Sequence, residues 1–320
     1  MYNSNNNKPS LAWKGYLCIF LIMLCVFPAV ADKAGFNFIN NKRQTTIRFK
    51  LIGNLIVIPV KVNNNLDLNL VLDTGGRSLI IFGRHFEKKL PVLPDKKVRI
   101  QGYGSKDHLS GNLSINNLVS ISDVEGKGIG IAIVHNKNFF PYDGATEIHG
   151  IIGYQIFSRF VVKIDYPNRN ITMYEPMAYV PMEKDLQSVP LIIKDTKPYI
   201  NGSIRLGEEQ RDVHFHVDTG SSREVILFKR DQDHFFSDEI LYRCSVGKGL
   251  NGLIKGYKSG NISLGLASDN YREIETYLVE RKFSDRELRE AAGTIGSGFL
   301  KNFIVIFDYV SQRFYFKKVA

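Results

Sequence analysis

Short runs of β-branched and aromatic residues, separated by Gly, Asn and Asp, follow one another along most of the chain. Such runs are typical of strands joined by tight turns. Long amphipathic helical patterns do not occur in the sequence. The clearest helical stretch runs from Ser284 to Ala292, where Ser284 and Glu287 fit a capping box. The pattern therefore predicts an all-β protein.

Four of these runs return later in the chain in the same order. Residues 70–75 (LVLDTG) and 215–220 (FHVDTG) lie 145 positions apart. The other three pairs, at offsets of 149, 143 and 143, are residues 110–114 and 259–263, 150–153 and 293–296, and 160–166 and 303–309. Matched segments at one long spacing indicate a duplicated lobe rather than a short solenoid repeat.

The N-terminal stretch has the composition of a targeting segment. Lys8 and Lys14 precede an apolar run at residues 16–27, and small residues follow up to Ala31. This order is typical of a secretory signal. We therefore expect cleavage after Ala31, with an uncleaved membrane anchor as the alternative. The predicted organisation is a signal or anchor at residues 1–31, a linker at 32–50, an N-terminal lobe at 51–182 and a C-terminal lobe at 183–320.

Composition narrows the class of protein. The chain has 320 residues, 44% of them hydrophobic, and a formal net charge of +10. The basic residues are scattered rather than gathered in a stripe, so nucleic-acid binding is not predicted. Cys244 is the only cysteine after residue 31, which excludes an intramolecular disulfide. The absence of disulfides in an exported protein is more typical of the bacterial envelope. We therefore expect a periplasmic or secreted protein, with a membrane-anchored form as the alternative.

The repeated Asp-Thr-Gly motif carries the candidate chemistry. Asp73 and Asp218 each end a strand-like run, and the glycine two residues later permits a sharp turn. Two such loops related by a pseudo-two-fold axis would bring two carboxylates face to face. Close carboxylates cannot both ionise, so they would share one proton. The ionised member could then activate water while the protonated member binds a carbonyl oxygen. Neither a metal nor a covalent intermediate is needed.

Other motifs support weaker interpretations. A single Asp-Thr-Gly could be a simple Asx turn, but two copies inside matched lobes argue against that. His214 and His216 are too few for a closed zinc site. Residues 247–252 fit a dinucleotide fingerprint, but Gly256 and Gly260 follow where a helix would be needed. No cofactor and no metal are therefore predicted.

The chain resembles pepsin-like aspartic peptidases, the bilobal relatives of retropepsins, over nearly all of its length after the signal. The resemblance rests on both Asp-Thr-Gly motifs and on two downstream glycine motifs, residues 151–153 and 294–296. These follow their aspartates at matched distances of 80 and 78 residues. Residues 295–308 also look like the closing segment of pepsins. The chain is similar to an exported, bacterial member of this family.

The resemblance implies a monomeric aspartic endopeptidase of two β-barrel-like lobes around a central cleft. Asp73 and Asp218 would form the catalytic dyad, and an extended peptide or protein segment would be the substrate. Gly75, Gly220 and Tyr103 would contact substrate, with Tyr103 at the tip of a flap. The residues implied to support the dyad are Thr74, Thr219 and Ser221.

One departure from the family pattern changes the expected pH dependence. Gly76 stands where pepsins carry Ser or Thr, whereas Ser221 keeps the hydroxyl in the second lobe. Loss of a hydrogen bond to a carboxylate raises its pKa, so we expect a less acidic optimum than that of pepsin. The same departure leaves open a catalytically silent protein that binds peptides. A membrane-tethered processing enzyme is the further alternative.

Overall fold

The computed structural model describes residues 35–102, 108–135, 140–141, 143–229, 242–280 and 291–319. Within these ranges the chain forms 25 strands in three sheets and only short helices. No helix in the described ranges is long and apolar enough to cross a membrane. The predicted signal, Tyr103 and most of the helix predicted from Ser284 to Ala292 lie outside the described residues.

A nine-stranded sheet contains most of the first half of the chain. Its strands are β1 (Gly35–Phe38), β3 (Lys50–Ile52), β4 (Leu55–Val62), β5 (Leu66–Leu72), β6 (Leu79–Phe82), β7 (Val92–Ile100), β8 (Leu109–Ile121), β9 (Val124–Val134) and β10 (Gly150–Ile152). They lie in the order β1-β9-β6-β10-β5-β4-β8-β7, and β3 pairs with β4.

A ten-stranded sheet contains most of the second half. Its strands are β14 (Ile192–Lys194), β15 (Lys197–Leu206), β16 (Glu209–Asp218), β17 (Val225–Lys229), β18 (Tyr242–Gly249), β19 (Gly252–Lys258), β20 (Ile262–Leu266), β21 (Asp269–Ile274), β22 (Thr276–Glu280) and β23 (Gly293–Gly296). The order is β18-β19-β22-β17-β23-β16-β15-β20-β21, and β14 pairs with β15. The glycine run at residues 247–252 therefore forms the β18–β19 hairpin and is not followed by a helix.

A six-stranded sheet joins the two halves. Its strands are β2 (Gln44–Arg48), β11 (Val161–Asp165), β12 (Asn170–Tyr174), β13 (Gln187–Pro190), β24 (Phe303–Asp308) and β25 (Arg313–Lys318), in the order β13-β25-β24-β11-β12-β2. The repeated strands β11 and β24 are antiparallel neighbours, with Val162 opposite Phe307 and Ile164 opposite Val305. In the repeat, Val162 corresponds to Val305 and Ile164 corresponds to Phe307, each 143 residues later. The repeat therefore maps each of these two pairs onto the other. A pseudo-two-fold axis therefore passes between β11 and β24.

Short helices follow the downstream glycine motifs of both halves. Helix α1 (Tyr154–Phe157) comes directly after β10, and helix α2 (Ser297–Leu300) comes directly after β23. Two 3-10 helices span Arg84–Lys88 and Pro176–Ala178.

The residues that lead into the two aspartates are buried in both sheets. Leu70 and Leu72 on β5, and Phe215 and Val217 on β16, are at most 1% exposed. Full burial of one such side chain contributes about 1.5–3 kcal/mol. The apolar core therefore anchors the strand ends that precede Asp73 and Asp218.

The prediction of a linker at residues 32–50 is wrong for the residues that form β1, β2 and the start of β3. Strand β1 pairs with β9, and β2 pairs with β12 at the edge of the six-stranded sheet. The segment is rich in Asn and Lys, so its local composition resembles that of a linker. Edge strands with one solvent-facing side tolerate this composition, because backbone pairing to the neighbouring strand holds them in place.

Candidate active site

Both Asp-Thr-Gly loops begin where a buried strand passes beside a parallel neighbour. In the first half, β5 runs parallel to β10, and the Asp73 N–H donates to the Ile152 carbonyl at 2.8 Å. In the second half, β16 runs parallel to β23, with Asp218 opposite Gly296. The repeat seen in the sequence is thus a repeat of a structural unit, in which each downstream glycine motif supports one aspartate.

Gly153 and Gly296 are required for this support by close backbone approach. A Cβ on Gly153 would collide with the carbonyl oxygens of Asp73 and Gly76, and one on Gly296 would collide with those of Ser221 and Arg223. The helices after them continue the contact, because the Tyr154 N–H donates to the Gly76 carbonyl and the Ser297 N–H to the Ser221 carbonyl, each at 2.8 Å.

Thr74 and Thr219 join the two loops to each other. The Thr74 N–H donates to Thr219 Oγ1 and the Thr219 N–H donates to Thr74 Oγ1, both at 3.0 Å. Each hydroxyl donates in turn at 2.7 Å, Thr74 to the Val217 carbonyl and Thr219 to the Leu72 carbonyl. Both threonines are at most 1% exposed. This reciprocal network fixes the spacing of the two aspartates.

The Asp73 and Asp218 carboxyl groups lie close enough that each changes the pKa of the other. The Gly75 N–H donates to Asp73 Oδ1 at 2.7 Å, and the Gly220 N–H donates to Asp218 Oδ1 at 2.9 Å. A Cβ built on Gly75 would lie 3.1 Å from Asp73 Oδ1 and 3.2 Å from Asp218 Oδ1. Both Oδ1 atoms therefore face a common space above the loop tips.

Burial is the main electrostatic feature of this pair. It raises the pKa of Asp73, which is held back by the backbone N–H groups of Gly75 and Gly76. It raises the pKa of Asp218 well above its ordinary value, and the Asp73 charge raises it further. The Lys197 charge lowers the pKa of both carboxyls. Two adjacent carboxyls that are largely removed from water share one proton and titrate as a pair.

The two residues after the Asp-Thr-Gly motifs differ in what they offer the carboxyls. The Gly76 N–H donates to the Asp73 main-chain carbonyl at 3.0 Å, and a Cβ on Gly76 would lie 3.4 Å from Asp73 Oδ2. The Ser221 N–H donates to the Asp218 carbonyl at 3.2 Å, and the Ser221 hydroxyl oxygen lies beside Gly296. The structure thus brings together seven of the eight site residues expected from the sequence, and Tyr103 lies outside the described residues.

Three features of the site were not identified in the sequence. The Ser297 hydroxyl donates to the Thr219 carbonyl at 3.0 Å and contacts the buried Tyr166 hydroxyl. The Arg77 guanidinium pairs with Asp195 on the β14–β15 turn, and so links the two halves near the dyad. His216, considered only as a weak metal ligand, lies beside Asp218. Strand alternation predicts that His216 shares a face with Asp218, because residues i and i+2 lie on one side of a strand, but it does not predict the burial of His216.

Comparison with known proteins supports the architecture. A scan against protein-family models found no match, and a search of curated proteins found none either. Among solved structures, an aspartic proteinase from Irpex lacteus matches with a TM-score of 0.57 and 13% identity, over 87% of this chain and 98% of that chain. At this identity the likeness establishes the fold alone. The protein has the all-β, bilobal pepsin-like aspartic proteinase fold that the resemblance implied.

Proposed function

We propose that this protein is an aspartic endopeptidase that hydrolyses peptide bonds with Asp73 and Asp218. The observation that carries this proposal is the pairing of two partly buried carboxyl groups at the tips of two loops locked together by Thr74 and Thr219. An ordinary structural role does not explain it, because holding two carboxyls side by side in a largely desolvated site costs stability. Paired carboxyls with separated titration steps are suited to acid–base catalysis.

The chemistry follows from the unequal surroundings of the two carboxyls. Burial raises the pKa of both carboxyls, and the Asp73 charge raises that of Asp218 further, to well above its ordinary value. Asp73 therefore acts as the base that takes a proton from water. Asp218 carries the shared proton and donates it to the oxygen of the scissile carbonyl. The tetrahedral intermediate then collapses as the proton held by Asp73 moves to the leaving amine, and Asp218 regains a proton from the intermediate.

The substrate in this proposal is an extended peptide or protein segment bound between the two lobes. Extended segments are recognised by backbone hydrogen bonds in the manner of an added strand. Gly75 and Gly220 stand beside the carboxyls, where a side chain would fill the space that the reacting peptide needs. Tyr103 would close over the substrate from the flap segment. The enzyme would act as a monomer, since one chain carries both aspartates.

The proposed site of action is outside the cytoplasm. The basic start, apolar run and small residues at positions 1–31 support export, either with cleavage after Ala31 or with retention as a membrane anchor. N-terminal sequencing of the protein from a membrane fraction and from the soluble fraction distinguishes these two forms. A protein beginning near residue 32 in the soluble fraction would establish release, and an intact N-terminus in the membrane fraction would establish tethering.

A peptide-library digest tests the proposed activity. The purified protein is incubated with a mixed peptide library from pH 3 to pH 8, with and without a statine-type inhibitor, and the products are identified by mass spectrometry. The proposal predicts cleavage that the inhibitor blocks. Peptides that bind in the cleft without being cut at any pH would instead identify a silent peptide-binding protein. Cleavage that the inhibitor leaves unchanged would exclude the dyad as its source.

A further inference from the structure

The two halves of the site differ at the position two residues before each aspartate. In the first half, Val71 on β5 lies opposite Val57 on β4. In the second half, His216 on β16 lies opposite Tyr199 on β15. The duplication thus places an apolar pair behind Asp73 and an aromatic, titratable pair behind Asp218. A fold related by a pseudo-two-fold axis does not require this difference, so the difference calls for a chemical reason.

The His216 imidazole lies inside the site rather than on the surface of its strand. His216 is 0% exposed, and its Nδ1 is 3.8 Å from Asp218 Oδ2. Its Cε1 is 3.2 Å from the position of a Cβ built on Gly75, which belongs to the opposite half. The Tyr199 ring packs against it, with centroids 5.4 Å apart and a tilt of 38°. The imidazole therefore lies between Asp218 and the loop that carries Asp73.

The two oxygens of Asp218 have different neighbours. Oδ1 accepts the Gly220 N–H, whereas Oδ2 faces the imidazole. The Ser221 hydroxyl oxygen, which the family resemblance placed next to this carboxyl, lies beside Gly296 instead. His216 is therefore the polar side chain that faces Asp218 Oδ2.

The titratable and charged groups around His216 come from both halves. Asp218 follows it on β16, and Asp73 faces it from the first loop. From β15, Tyr199 packs on the ring, and Lys197 acts on both carboxyls. On the other side β23 places the uncharged Thr294 opposite it. Two carboxyls on one side favour a positive imidazole, while burial and Lys197 oppose it.

We propose that His216 is a positioning residue of the dyad, which orients Asp218 through Oδ2 and, when protonated, stabilises the ionised form of that carboxyl. This inference rests on the proposed peptidase function. In that reaction Asp218 becomes ionised once it has given its proton to the substrate oxygen, so a nearby imidazolium stabilises the charge that develops there. Val71 offers no such interaction to Asp73, so the two carboxyls become chemically unequal.

The kinetic test compares three variants of the full-length protein. His216→Val copies the first-half residue, His216→Gln keeps a polar side chain, and His214→Gln is the matched control, because His214 is an exposed histidine on the same strand. For His216→Val we expect the alkaline limb of the pH profile, which reports Asp218 as the acid, to move to higher pH by about one unit, because removing a positive partner raises a carboxyl pKa. We also expect kcat to fall about tenfold with little change in KM, a smaller loss in His216→Gln, and no change in His214→Gln.

A spectroscopic test does not depend on activity. The protein is labelled at histidine Cε1, and the chemical shifts are followed against pH by NMR in the wild type and in Asp218→Asn, with assignment from His216→Gln. The proposal predicts that the titration of His216 changes midpoint in Asp218→Asn while that of His214 does not. An unchanged His216 midpoint would overturn the proposal, whether or not the protein cuts peptides.

The outcomes separate this inference from the function on which it rests. A wild type without peptidase activity whose His216 signal still responds to Asp218→Asn would refute the proposed function and leave the contact established. An active, folded His216→Val variant with the pH profile and kcat of the wild type would refute the positioning role alone. If His216→Val fails to fold, the kinetics of His216→Gln and the NMR titration of His216 test the positioning role instead.

Discussion

Thr74 and Thr219 each accept the backbone N–H of the other at 3.0 Å, and each hydroxyl donates to the residue that precedes the opposite aspartate. Each threonine therefore holds the strand end of the other half as well as its own loop. The two aspartates are positioned by one shared network, and neither half can form its part of the site alone.

The first prediction concerns this network. Thr219→Val keeps the shape of the side chain but removes the hydroxyl, and so leaves the Thr74 N–H and the Leu72 carbonyl without their buried partner. Each unsatisfied group costs about 1–3 kcal/mol, and peptidase activity should fall by at least tenfold. Denaturant unfolding and peptide cleavage measure both effects. Thr219→Ser, which keeps the hydroxyl, should stay close to the wild type. Equal losses in the two variants would show that the methyl group, not the hydrogen bonds, matters.

The second prediction concerns the space above the dyad. A Cβ on Gly220 would lie 2.5 Å from Asp73 Cγ and 2.6 Å from Asp73 Oδ1, so Gly220→Ala should abolish cleavage by displacing the carboxyl. Gly247→Ala is the control, because a Cβ there would have no atom within 4 Å. Both variants should be assayed for cleavage and for inhibitor binding. A Gly220→Ala protein with wild-type cleavage would mean that Asp73 is not held where the structure places it.

The third prediction tests the reason for a less acidic pH optimum. Gly76→Ser places a hydroxyl near Asp73 Oδ2, where it can donate to the ionised carboxylate and lower its pKa. The acid limb of the pH–rate profile should therefore move to lower pH by about one unit. Gly76→Ala adds the carbon without the donor and should leave the limb in place. A shift of the same size in Gly76→Ala would assign it to packing rather than to hydrogen bonding.

The fourth prediction follows from the raised pKa of Asp218. Below the ordinary aspartate pKa of about 3.9 this carboxyl is protonated in both the folded and the unfolded protein, so its ionisation does not lower the free energy of unfolding. As pH rises towards the folded value, the unfolded state releases its proton first, and the folded state loses stability. Asp218→Asn removes this penalty. Its melting temperature should exceed that of the wild type at pH 7 and approach it at pH 3. A wild type that is more stable than Asp218→Asn at pH 7 would contradict the account.

Much of the fold could be predicted from the sequence because the relevant signals are local or repeated. The alternation of short apolar runs indicates strands whatever their partners are. The Asp-Thr-Gly motif occurs at Asp73 and again at Asp218, and a glycine motif follows each at a matched distance. This repeat indicates a duplicated unit even when the order of strands in the sheets is not known. The all-β class and the paired loops follow from these two facts.

What the sequence could not predict depends on contacts between distant segments. Strand β2 looks like a linker by composition, and only its pairing with β12 makes it part of a sheet. His216 lies on a strand in a pattern shared with the exposed His214, and only the packing of the two halves makes one of them buried beside a carboxyl. Register and lobe packing set these features, and neither can be deduced from local pattern.

The most direct test of the central claim is the specificity constant, kcat/KM, of the wild type, Asp73→Asn and Asp218→Asn on one peptide chosen from the library digest. Asparagine keeps the shape of each side chain and removes its ability to take part in proton transfer. We expect either substitution to lower kcat/KM by about 10²–10⁴-fold or more, because proton transfer by a positioned group contributes that much, while both proteins remain folded. If either variant keeps activity within tenfold of the wild type, Asp73 and Asp218 are not the catalytic pair.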